Sequence, residues 1–439
     1  MKRSILTAAL ALSFSAGSAS AFANDHNDDP NIIYIIGDGM GFEYISAYRY
    51  AMSDLETHTV APIEFDAMLT GAATTYPEDK TWVTDSAAGA TALATGEKTY
   101  NGAIAVDNDK HPLKTIMEMA KDNGWATGAV STSQVNHATP ASFFNHHPSR
   151  YEYNEIADLI AEQVVNGKPS FDVLLGGGRS YFEREDKNWF EILPDYGLTI
   201  TTDLNSLDQI DETPVLGAFA PKGLPFAIDG DVNALAKMTD AALRLLEPKE
   251  GSFALMIEGS EIDWCGHAND IACAVHEMDG LNRALEVVRE FQEKHPNTLV
   301  VMTADHSTGG LTLGRDGDYA WYSDRVMNIE SSISSMVSDL LGMEADEWAD
   351  YVADKVNYEL TEEYVDELMA AADEDEDDRK DALHDALVYI TGDITGTGWT
   401  TSGHTGIDVP VFARGPHSDA FRGYMNNTDI AKALINIVK

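Results

Sequence analysis

Asn31-Ile-Ile-Tyr-Ile-Ile36 is an unbroken apolar run that stops at Gly37-Asp38-Gly39. A run this short and this apolar reads as a strand buried on both faces, the kind found in parallel sheets covered by helices. Runs of the same kind recur at Ala126 to Val130, Asp172 to Leu175, Phe253 to Ile257, Thr298 to Met302 and Val409 to Ala413. Amphipathic helical patterns separate several of them: Pro112 to Asn123, stopped by Gly124, then Asn154 to Val165, Val232 to Leu246 and Asp270 to Lys294. The alternation predicts an α/β fold, a three-layer α/β/α sandwich with a large, mostly parallel central sheet.

The ends of the chain and its middle read differently. Met1-Lys-Arg-Ser is basic, Ile5 to Phe14 is apolar, and small residues follow through Ala19-Ser-Ala21 and Ala23. That is the pattern of a secretory signal peptide over 1–23, which places the mature protein in the periplasm or outside the cell. The apolar stretch is too short for a permanent membrane anchor. Residues 24–439 carry no internal repeat or long linker and are expected to form one domain. Within it, 320–395 is an acidic stretch with four helical patterns: Ser331 to Leu341, Glu344 to Val356, Thr361 to Ala372 and Arg379 to Ile390. It reads as a helical insertion, either a solvated structural one or one that serves as a lid or dimer contact.

The chain has 73 acidic residues against 29 basic ones, a formal net charge of -44. Phosphate backbones are held by Lys and Arg, so this balance argues against nucleic acid and against anionic membrane surfaces. It suits a halophilic or marine setting, where at ~1 M salt the Debye length is ~3 Å and self-repulsion is screened. The two cysteines, Cys265 and Cys273, are candidates to pair in an exported protein. On one regular helix they would lie too far apart, so a bridge requires a break near Gly266. Two buried free thiols are the alternative.

Chemistry-bearing residues fall beside the strand runs. Asp38 follows the first run, Glu258 the run at 253 and Asp305-His306 the run at 298. Ligands in open α/β sheets bind beyond the carboxyl ends of strands. Asp263 and His267 are spaced to share one face of a helix, and His404 stands between glycines in Ser402-Gly-His-Thr-Gly. Carboxylates and imidazoles are ligands for zinc, and carboxylates also for magnesium. Asp85-Ser86-Ala-Ala-Gly reads as a helix start, where free N–H groups favour an anion and a serine can become a nucleophile. The plainer reading is that Asp85 and Ser86 cap the helix. Arg150 has the fork that grips two phosphate oxygens, although a surface ion pair is an equal use for it.

In order and context, these pieces resemble the alkaline phosphatases. The matching motifs are Ile-Gly-Asp38-Gly-Met-Gly, Thr-Asp85-Ser86-Ala-Ala, His137-Ala-Thr139-Pro140, Glu258-Gly-Ser-Glu-Ile-Asp263-Trp264-Cys-Gly-His267, Thr-Ala-Asp305-His306 and Ser-Gly-His404-Thr-Gly. They cover about residues 31–315 and 395–439. The resemblance implies hydrolysis of phosphate monoesters to alcohol and inorganic phosphate, with two Zn2+ and one Mg2+. It makes Ser86 the nucleophile that forms a phosphoserine intermediate and Arg150 the phosphate-binding arginine. It assigns Asp263, His267 and His404 to one zinc, Asp38, Asp305 and His306 to the other, and Asp38, Thr139 and Glu258 to magnesium. It also implies a homodimer. Sulfatases of the same superfamily need a modified Cys or Ser followed by Pro and Arg, which Ser86-Ala-Ala-Gly lacks. Diesterases typically use threonine and lack the arginine. An exported metal-binding protein without catalysis is the reading from a different class.

Two positions depart from the best-known enterobacterial members: His137 stands in place of an Asp, and Trp264 in place of a Lys. The first implies a weaker magnesium site, the second easier product release. The charge sets a further expectation. A dianionic ester must approach an acidic surface, so kcat/KM should rise as moderate salt is added. A rate for a small phosphate ester that does not change with salt would contradict this.

Overall fold

The computed structural model describes residues 29–247 and 251–439, so the signal-peptide reading of 1–23 lies outside the described residues. A ten-stranded sheet organises the fold. In chain order its strands are β1 (Asn31–Gly37), β2 (Leu69–Thr74), β3 (Ala126–Gln134), β4 (Val173–Gly177), β5 (Thr199–Thr201), β6 (Val215–Ala218), β7 (Phe253–Gly259), β8 (Thr298–Thr303), β9 (Val409–Arg414) and β10 (Gly423–Asn426). Their order across the sheet is β10-β2-β9-β8-β1-β7-β3-β4-β6-β5. Only β9 runs against its neighbours, pairing antiparallel with both β8 and β2. All six apolar runs expected to be strands are strands, and the expected α/β class with a large, mostly parallel sheet holds.

The central strands are buried because both faces are covered. Ile32 to Ile36 in β1 are at most 1% exposed, so this strand has no solvent face to carry an alternating pattern. Helices Phe42–Ala51, Ala234–Leu246 and Ile271–Lys294 pack together as one set. Helices Ser86–Thr95, Ile116–Asp122, Ala138–Phe144 and Asn427–Val438 form another. Helix Ile116–Asp122 starts later than its pattern suggested, because Thr115 caps it in a reciprocal box with Glu118.

Register decides where the chemistry gathers. In the parallel pairings Gly37 of β1 lies opposite Gly259 of β7, Ile36 opposite Thr303 of β8, and Ser131 of β3 opposite Glu258. The carboxyl ends of four adjacent strands are therefore level, and Asp38, Glu258 and Asp305 share one edge. Glu258 is itself the penultimate residue of β7 rather than a loop residue after it.

Cys265 and Cys273 form a disulfide. The break that permits it comes just after Gly266: helix Glu261–His267 ends, Asn269 takes a positive φ of 49°, and Asp270 caps the next helix by accepting from Cys273 N. The acidic stretch forms the helices expected of it, Ile333–Leu340, Trp348–Val356, Glu362–Ala372 and a longer Glu376–Thr395. They share an apolar interior that includes Met336, Leu340, Trp348, Val352, Leu368, Leu383 and Leu387, all at most 3% exposed. The acidic residues cover its outside. Among the described residues no helix is long and apolar enough to cross a membrane.

Candidate metal and phosphate site

Gly39 lets the backbone after β1 turn tightly, with φ at 70°. A Cβ there would lie 2.8 Å from Thr308 Oγ1 and 2.9 Å from Asp263 Cα, so only glycine admits this approach. The Gly39 N–H donates to Asp305 Oδ1 at 3.2 Å, and the His306 N–H donates to the same oxygen at 3.0 Å. That leaves Asp305 Oδ2 and both oxygens of Asp38 buried without a hydrogen bond. Asp38, Glu258, Asp263 and Asp305 are each at most 3% exposed. Burial, then the charges of Asp305, Asp263 and Glu258, push the Asp38 carboxyl well above its usual range. Burial also raises Glu258 to about 7, although Ser131 and Ser260 donate to it. Burial would raise Asp263 too, but the His267 hydrogen bond and the neighbouring imidazoles outweigh it and hold Asp263 low. Buried like charges with so few partners require positive charge among them.

The histidines are aimed by what their other nitrogens do. His404 Nδ1–H donates to Thr84 O at 2.8 Å, and His267 Nδ1–H donates to Ser402 O at 2.6 Å. Thr308 Oγ1–H donates to Asp263 Oδ1, and Thr308 Oγ1 in turn accepts from His306 Nδ1–H at 3.3 Å. Each imidazole therefore presents a bare Nε2, the arrangement that fixes a metal ligand's tautomer. Those nitrogens converge. His267 Nε2 lies 3.1 Å from His404 Nε2 and 3.3 Å from Asp263 Oδ2. His306 Nε2 lies 3.4 Å from Asp38 Oδ1 and 3.3 Å from Asp305 Oδ2.

Three sets of ligand atoms are close enough to share an ion: Asp263 with His306 and His404, Asp38 with Asp305 and His306, and Asp38 with His137 and Glu258. The second matches the set expected from the sequence. The first shares Asp263 and His404 with the expected set, whose His267 also faces both of them from the rim, its side chain 41% exposed. The third shares Asp38 and Glu258 with the expected set and adds His137, while Thr139 also faces Glu258. Thr139 Oγ1 is nonetheless buried without a hydrogen bond, as is His137 Nδ1. Burial, reinforced by the Arg150 charge, lowers His137 to about 3.

Ser86 is the first residue of helix Ser86–Thr95, and Asp85 caps that helix by accepting from Ala88 N at 2.9 Å. Ser86 Oγ is 3.3 Å from His306 Nε2. Arg150 has one nitrogen 3.0 Å from Asp85 Oδ2 and another 3.2 Å from His137 Nε2. Trp264 packs edge-on against the His137 ring, with centroids 5.8 Å apart. Every residue expected at the site from the sequence thus reaches one cleft. Thr308 was missed, as were the carbonyls of Thr84 and Ser402 that orient the imidazoles. Thr308 had a signal, since Asp305-His306-Ser-Thr308-Gly places its hydroxyl two residues past a ligand.

Residues 29–439 match the family model described as alkaline phosphatase. The chain belongs to the alkaline phosphatase family. It is 44% identical over 415 residues to alkaline phosphatase 3 of Bacillus subtilis, covering 93% of this chain and 89% of that one. A solved structure, the cold-active alkaline phosphatase of the psychrophile Shewanella sp., is also 44% identical, with a TM-score of 0.86 over 93% of this chain and 100% of that one. The alkaline phosphatase of the Antarctic bacterium TAB5 is 29% identical, with a TM-score of 0.69 over 93% of this chain and 98% of that one. TAB5 variants with a histidine replaced by glutamate or aspartate are solved with Mg bound in the M3 site. As an alkaline phosphatase, the chain is a phosphoric monoester hydrolase with sites for divalent metal ions.

Proposed function

We propose that this alkaline phosphatase works through a phosphoserine on Ser86, with two zinc ions and one magnesium ion. Three Nε2 atoms facing buried carboxylates, with Asp38 Oδ1 and Asp305 Oδ2 beside His306 left without a hydrogen bond, carry the reading. Imidazole with carboxylate suits zinc, and the oxygen-rich end at Asp38, Thr139 and Glu258 suits magnesium. When bound, such ions supply the charge that attracts a phosphate dianion and lower the pKa of water towards ~7. Asp263, His267 and His404 would hold one zinc, and Asp38, Asp305 and His306 the other. Asp38 would also serve magnesium with Thr139 and Glu258.

The remaining work belongs to the chain. Arg150, steadied by Asp85, grips two phosphate oxygens and turns the phosphorus towards Ser86. The Ser86 Oγ–P bond forms as the ester O–P bond breaks, and the alcohol leaves. Water then attacks phosphorus, the Oγ–P bond breaks, and inorganic phosphate departs. Chelation should abolish hydrolysis of a phosphate ester, and zinc plus magnesium should restore it. Activity that persists in metal-free protein would refute the proposed use of metals.

His137 replaces a carboxylate at the magnesium end with a neutral imidazole, which favours magnesium less. The TAB5 variants in which a histidine is replaced by glutamate or aspartate, solved with Mg bound in the M3 site, support the same direction. His137→Asp should therefore tighten magnesium binding by about 10-fold, measured by reactivation titration. An unchanged affinity would contradict this. Export is supported by the disulfide, which persists in oxidising compartments. The resemblance supports a homodimer.

A further inference from the structure

Beside the proposed zinc ligand His267 opens a pocket of about 940 Å³. One wall is the loop that supplies the imidazole supports, with Trp399 at its start and Ser402 accepting from His267. The opposite wall comes from the acidic insertion: Val337 and Leu341 near helix Ile333–Leu340, and Val388 on helix Glu376–Thr395. The insertion thus lines a space that borders the site at His267.

The Trp399 loop is fixed rather than loose. Gly309 O accepts from Thr400 N at 3.0 Å and from Thr401 N at 3.2 Å, and Gly309 N donates to Gly403 O at 2.8 Å. Gly309 has φ at 77°, and a Cβ there would lie 2.5 Å from Trp399 Cε3. The indole lies flush on this backbone, partly exposed to the pocket, on the same clamp that places His404. Leu341, across the pocket, is 44% exposed. A preorganised indole is a stacking face for a flat ring, in a pocket whose insertion side mixes Val337, Leu341 and Val388 with Lys380, Asp381 and Asp385.

We infer that this pocket is a subsite for the alcohol half of the substrate and selects phosphate monoesters of aromatic alcohols. The inference rests on the proposed placement of phosphate between Ser86 and Arg150. From there, the ester oxygen on the His267 and His404 side directs the alcohol past His267 into the pocket. Trp399 is a specificity-determining residue in this account, and the acidic insertion acquires a role in substrate choice.

Non-hydrolysable phosphonates test this without the chemical step. Benzylphosphonate should inhibit the wild-type holoenzyme about 10-fold more tightly than methylphosphonate. Trp399→Ala should erase most of that preference and leave the methylphosphonate Ki within about twofold, and Trp399→Phe should restore most of it. Leu341→Ala, a change at an exposed position, should reduce the preference by about threefold. Equal inhibition of the wild type by both phosphonates would overturn the inference, as would parallel weakening of both in Trp399→Ala. A wild type that hydrolyses neither phenyl phosphate nor methyl phosphate would count against the phosphatase mechanism instead.

Discussion

Ser86→Ala is expected to lower kcat/KM for a small phosphate ester by roughly 10³-fold or more, with bound metal unchanged. Ser86 Oγ lies 3.3 Å from His306 Nε2, and its removal leaves every imidazole and carboxylate of the site in place. Asp85 still caps the helix, and alanine is a good residue for the first turn. Stability should shift by no more than about 1 kcal/mol. Loss of activity with the fold and metals retained separates a nucleophile from a structural cap. If Ser86→Ala kept more than about a tenth of wild-type activity, the serine would leave the mechanism.

Asp38→Asn should have the second large effect, acting through metal. Asp38 belongs to two of the three ligand sets, and both its oxygens lack hydrogen bonds. Asparagine keeps the shape but removes a charge and one acceptor. In holoenzyme the change should deplete two of the three proposed metals and cut activity on the order of 10³-fold. In metal-free protein its sign should reverse. Asp38 is there raised by burial and by repulsion from Asp305, Asp263 and Glu258, so a neutral residue relieves the cluster. Thermal unfolding with and without metals checks both halves: the variant should melt lower than wild type when loaded and higher when stripped. Lower melting in both states would mean that Asp38 is held by something other than ions.

The strands of the sheet centre were legible because they are buried on both faces and read as apolar runs. β2, with Gly71-Ala72-Ala73, was not, because small residues carry little apolar signal. β5 and β6 are three and four residues long, too short for periodicity to show. The direction of β9 was not legible either, since an apolar run has no polarity. The candidate ligands could be picked out as residue types, but each pair alone was commonplace in so acidic a chain. Their meeting depends on the level register of β1, β7, β8 and β3, a property of the sheet rather than of any segment. The carbonyls of Thr84 and Ser402 were invisible because every residue carries one. The Asp263–His267 pair was read correctly as one helical face, while its approach to His404 required the fold.

The central claim is that the phosphoryl group passes through Ser86. Rapid acid quench of the metal-loaded enzyme with a phosphate ester, followed by peptide mapping by mass spectrometry, tests it most directly. A phosphoryl group on the peptide containing Ser86, located at that serine and absent in Ser86→Ala, is the predicted result. Active enzyme that yields only unmodified peptide under acid quench, or phosphate on another residue, would contradict it.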